Sequence, residues 1–139
     1  MSAEPELELE RLAPRARHDP SGYVHGIVVP PGLRTVHIAG QLGAGPDRVI
    51  ASDDLAIQFA TALDNVLSIV REAGGGPHSV GSLTAYVIDF DEYRAARTSL
   101  AVLWRPRFGA RNVAMTIVAV KALIDPRAKV EIQGIAHVP

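Results

Sequence analysis

The chain of 139 residues contains no cysteine, which removes disulfides, thiol nucleophiles and thiolate metal sites in one step and is compatible with a cytoplasmic protein. It also lacks any run of about 18 apolar residues, so no helical membrane span is expected. Charge of one sign is missing as well. Fourteen Lys+Arg against 15 Asp+Glu leave a net charge of −1, so no overall field favours nucleic acid or an anionic membrane. The acidic N-terminal stretch MSAEPELELERLAPR has no basic head followed by an apolar run, so it is not read as a signal peptide.

Several motifs are absent too. His18, His25, His37, His78 and His137 share no H-x-H or H-x-x-x-H spacing, so no metal site is expected. No G-x-S-x-G occurs, which argues against a serine nucleophile on a sharp elbow. Gly74-Gly75-Gly76-Pro77 follows a helical pattern instead of a strand and leads into no Lys-Ser/Thr, so it reads as a helix stop and not a phosphate loop. Arg105, Arg107 and Arg111 cluster around Phe108, a single aromatic, and read as a solvated loop and not an RNA surface.

What remains is a length suited to one domain with a real core. Residues 1 to about 20 show no sustained period and read as a flexible arm or an edge strand, leaving 21–139 as the folded domain. Tyr23–Val29 is β-prone and is stopped by Pro30-Pro31-Gly32. Arg34–Ala39 then alternates apolar Val36 and Ile38 with polar neighbours, as the second strand of a hairpin would. Ser52-Asp53-Asp54 offers caps for a long helix whose apolar face is Leu55, Phe59, Leu63, Val66 and Val70. Ser82–Ile88 predicts a third strand. Asp89 or Asp91 caps a second helix running to about Trp104, with Tyr93, Ala96, Leu100, Leu103 and Trp104 on its face, before Arg105–Gly109 breaks it. Asn112–Leu123 and Lys129–His137 complete the chain as two strands joined through Asp125-Pro126-Arg127.

The order β-β-α-β-α-β-β implies an α+β single domain with two helices on one face of a mixed sheet. Helices of this kind cover one face only, and a partner subunit is the simplest cover for the other. In the last strand, Glu131 shares a face with Gln133 and Ile135. Such a carboxylate either faces solvent or, if a partner covers it, has its pKa raised by burial into a range suited to proton transfer.

Four elements in order resemble one family: Gly22-Tyr23-Val24-His25-Gly26, then Ile38-Ala39-Gly40-Gln41-Leu42-Gly43, then Leu63-Asp64-Asn65-Val66, then Val130-Glu131-Ile132-Gln133-Gly134-Ile135-Ala136. Together they are similar to the RidA (YjgF/YER057c/UK114) family from about Ser21 onward. The resemblance implies a chorismate-mutase-like fold, a homotrimer with a barrel-like core, and small-molecule clefts between subunits. It also implies cofactor-independent hydrolysis of reactive 2-imino acids, such as 2-iminobutanoate and 2-iminopropanoate, to 2-keto acids and ammonia. By that resemblance Glu131 positions the attacking water, Tyr23 lines the cleft, and the backbone N–H of Gly40, within the element containing Gln41, helps hold the substrate carboxylate. An RNA-cleaving activity has also been attached to the family, and the neutral charge gives it little support here.

The family's carboxylate-clamping arginine has two candidate positions. Counting forward from Tyr93 and Trp104, Arg111 takes the post, which suits the bidentate geometry of a guanidinium. Counting backward from Glu131, Met115 takes it, with Thr116 following. The backward count is preferred, because a helix-to-strand loop tolerates insertion better than a paired strand. A cleft with Met115 at its centre lacks the usual cation, so the activity would be weakened or redirected. The alternative is a non-catalytic metabolite-binding or assembly protein on the same scaffold.

Overall fold

The computed structural model describes residues 8–14 and 22–139. Its elements are β1 (Glu10–Leu12), β2 (Gly26–Val28), β3 (Arg34–Leu42), α1 (Leu55–Glu72), β4 (Val80–Val87), α2 (Phe90–Ala95), α3 (Arg97–Phe108), β5 (Ala114–Ala119) and β6 (Val130–Val138). The arm expected at residues 1 to 20 falls in part outside the described residues.

The main sheet has the order β3-β6-β4-β5. Its β3–β6 and β6–β4 pairs are antiparallel and its β4–β5 pair is parallel, with α2 and α3 forming the crossover between the parallel strands. On β6, Val130, Ile132, Gly134, Ala136 and Val138 are buried against α1, and on β4 so are Val80, Leu83, Ala85 and Val87. The alternate residues, including Glu131, Gln133, Thr84 and Tyr86, point to the opposite face, which no helix among the described residues covers. The architecture is therefore α+β, with the helical layer on one face of a mixed sheet, as the sequence pattern implies.

Helix α1 follows its pattern closely. Asp54 caps it, Oδ1 accepting from the Ile57 N–H at 3.0 Å, and Leu55, Phe59, Leu63, Val66 and Val70 are all buried. Gly74 ends the helical run at φ 95°, so the glycine run acts as a stop, followed by one 3-10 turn at Pro77–Ser79.

Two expectations change. The hairpin read between Tyr23–Val29 and Arg34–Ala39 does not form: β2 pairs with β1, and β3 pairs with β6. Pro30 and Pro31 lack N–H donors, so the chain leaves the first ladder there, and Val36 and Ile38 then find their cover under α1. The second helix is longer than read and is interrupted. Its turn tightens at Ala96, whose N–H is shared between the carbonyls of Glu92 and Tyr93, and α3 continues through Pro106 to Phe108. Burial of Phe108, stacked on Trp104 with ring centroids 4.1 Å apart, holds that last turn despite the proline, and Gly109 ends it at φ 64°.

Candidate functional site

Glu131 is placed by a bulge. Ile38 pairs with Gly134 and Gln41 with Ile132, so Ala39 and Gly40 together stand opposite Gln133 alone. The extra residue turns Gly40 under the neighbouring strand, and any Cβ at Gly40 would overlap the carboxylate of Glu131. A side chain at Gly40 would have to displace that carboxylate. Gln41, adjacent in sequence, folds its amide back onto the Ala39 carbonyl at 2.9 Å.

The motif residues around this bulge have structural reasons. Asn65 donates to the carbonyls of Leu42 at 3.0 Å and Ala44 at 2.9 Å, tying α1 to the loop that leaves β3. Asp64 receives a two-pronged ion pair from Arg107, with Nε at 2.8 Å and Nη2 at 3.0 Å, tying α1 to α3. Gly43 lies against the α1 backbone at Gln58, with room for no side chain.

On the other side of the sheet, Met115 sits on β5 opposite Leu83, which in turn lies opposite Gly134. That row faces the helical layer, whereas Thr116, opposite Thr84 and through it Gln133, faces the uncovered side with Glu131. Met115 and Tyr23 line one cavity of about 380 Å³. A neighbouring cavity of about 360 Å³ also reaches Met115 and is walled by Phe59, Leu100 and Trp104. Tyr93 lines both, and burial raises the pKa of its phenol above the ordinary value while the Arg97 charge pulls it partly back.

Arg111 lies in the loop before β5. Its guanidinium pairs with Glu8 at 3.1 Å, and its carbonyl accepts from the Trp104 indole at 3.1 Å. Within one protomer the fold thus joins Gly40 to Glu131 and Tyr23 to Met115, on opposite sheet faces, and sends the Arg111 side chain to the N-terminal segment. Among the described residues no group of three or more His, Asp or Glu is gathered as a metal site, and no helix is long and apolar enough to cross a membrane.

Sequence reading did not single out Arg97. The available signal was a cation four residues after Tyr93 on a helix face otherwise assigned to the core. It likewise missed Gln58, an amide only 1% exposed in the apolar face of α1.

The family model described as Endoribonuclease L-PSP matches residues 13–138. Among solved structures, the chain is similar to YyfB of Yersinia pestis, a protein of unknown function of the conserved Rid family, at 28% identity and TM-score 0.83, covering 94% of this chain and 98% of that one. It is also similar to the YjgF gene product of E. coli, at 30% identity and TM-score 0.66, covering 89% of this chain and 91% of that one. A third, E. coli TdcF with bound serine, matches at 25% identity and TM-score 0.65, covering 95% and 98%. No curated protein matches the chain. With the family model spanning nearly its whole length, the chain belongs to the Endoribonuclease L-PSP family, that of the YjgF and Rid proteins.

Proposed function

We propose that this protein is a cofactor-independent hydrolase of small 2-imino acids, acting as a homotrimer in clefts between subunits. The observation that carries the reading is the Glu131 carboxylate seated over Gly40 at the β3 bulge, on the sheet face that no helix among the described residues covers. There Glu131 takes a proton from a water as the water oxygen bonds to the imine carbon. The proton passes to nitrogen to give a carbinolamine, whose hydroxyl proton is then taken up by Glu131 and passed to the same nitrogen as the C–N bond breaks and the C=O forms, releasing a 2-keto acid and ammonia. A relative crystallised with serine, a small amino acid, supports a carboxylate-bearing ligand of similar size.

Two features favour a second reading, metabolite binding without turnover. Met115 occupies the backward-counted arginine position, and the Arg111 guanidinium is engaged by Glu8. The test is the loss of 2-iminobutanoate and 2-iminopropanoate, generated in situ, on addition of the purified protein. The wild type accelerates it, and Glu131→Gln lowers kcat about 10²-fold or more, as the loss of a positioned base does. Acceleration that survives in Glu131→Gln removes this residue from the chemistry, and none with the wild type leaves the binding reading.

A further inference from the structure

We propose that Arg97 supplies the cation of the Met115 cavities, binding the carboxylate of a small acid whose apolar part lies against Trp104 and Met115. Arg97 lines both cavities, one of about 360 Å³ and the other of about 380 Å³, and among the described residues no acidic side chain lines either. Three nearby arginines are committed elsewhere. Arg94 pairs with Asp91 at 3.1 Å and lies over the Phe90 ring, Arg107 holds Asp64, and Arg111 holds Glu8. Among the described residues, no carboxylate is paired with Arg97.

The exposed Arg97 guanidinium, beside aromatic and thioether walls and with no carboxylate partner among the described residues, is matched by a planar, two-oxygen anion. The cavity sizes, and a lining that sets aromatic and thioether side chains beside arginines, fit a small-molecule site. Arg105 also has no carboxylate partner among the described residues but lines only the smaller cavity, so it flanks the site without reaching both compartments. Arg97 thus replaces, from the helix, the cation that the β5 strand lacks at Met115. Its role is in specificity: it selects acids over their neutral analogues.

The inference rests on reading the molecule as a small-carboxylate protein, and the test separates the two. The full-length protein is titrated with 2-oxobutanoate and with its methyl ester, followed by calorimetry and by the emission of Trp104, the single tryptophan. The acid saturates the wild type. Arg97→Leu weakens it about tenfold or more, the loss of one charge-assisted pair, whereas Arg97→Lys falls between. Arg105→Leu changes it less than about threefold, as an exposed flanking charge does. The ester binds wild type and Arg97→Leu alike. Circular dichroism confirms that the variants are folded. Equal affinity of wild type and Arg97→Leu for the acid, or no saturation by the acid, overturns the proposal even if imine hydrolysis is intact. Binding of the acid through Arg97 by a protein that leaves 2-iminobutanoate untouched overturns the hydrolytic reading and keeps this one.

Discussion

Gln58 shows how much one buried amide can fix. Its Nε2 donates to the carbonyls of Ser52 at 2.8 Å and Arg127 at 3.1 Å, and its Oε1 accepts from the Lys129 N–H at 2.9 Å, so one side chain holds the start of β6 to α1. Leucine would fill much of the same space but leave these three backbone groups without their partner. Gln58→Leu is expected to cost about 2–4 kcal/mol, read from urea unfolding, and an unchanged midpoint would show that the loop finds other partners. His137 gives a pH dependence. Burial first, and the like charge of His37 second, hold its pKa below the ordinary value, and its Nδ1 lies 3.3 Å from the Thr35 hydroxyl. The unfolded chain therefore binds a proton at a pH where the folded one does not. The stability this contributes is complete above about pH 6.5, the unfolded value, and is lost as pH falls through the lower folded one. The thermal midpoint should fall between about pH 7.5 and pH 5, and His137→Asn should flatten that fall, whereas an equal slope in both proteins would place the titration elsewhere.

At the scale of elements, what could be read depended on whether local pattern and tertiary packing agree. Helix α1 was legible because its buried residues recur at three- and four-residue spacing between an Asp54 cap and a glycine stop. The partner of β2 was not, because Pro30-Pro31-Gly32 is equally good chemistry for a hairpin and for leaving a ladder, and the choice is made by β1, a three-residue strand too short to show a period. The end of α3 was hidden for a different reason. Pro106 signals a break, yet Phe108 is 1% exposed and stacks on Trp104, so tertiary packing outweighs the local signal. Phe108→Ala should therefore unravel the last turn, cost about 3–5 kcal/mol in denaturant unfolding, and shift Trp104 emission to longer wavelength as the indole gains water. An unshifted emission with full stability would mean that the helix end is held by the Arg107–Asp64 pair instead. The bulge at Ala39-Gly40 was only half legible. The glycine was noted, but a register shift depends on the partner strand and leaves no mark in the β3 sequence alone.

At the scale of the whole molecule, the two halves of the candidate site cannot meet in one protomer, because alternation along β5 and β6 sends Met115 to the helical side and Glu131 to the uncovered side. A site that uses both must draw them from different copies, arranged head to tail around a closed ring such as the proposed trimer. This makes a mixing experiment decisive. Glu131→Gln removes one half and Tyr23→Ala the other, so each variant alone should be inactive toward 2-iminobutanoate. If the two are unfolded together, mixed and refolded, random assembly leaves about one quarter of the clefts with an intact Glu131 from one copy and an intact Tyr23 from its neighbour. Activity should recover to about that fraction of the wild type, while light scattering reports a mass near three chains. A mixture that stays inactive with trimers formed would mean that each site takes both residues from one copy, which the opposed faces of this sheet would then have to be rebuilt to allow.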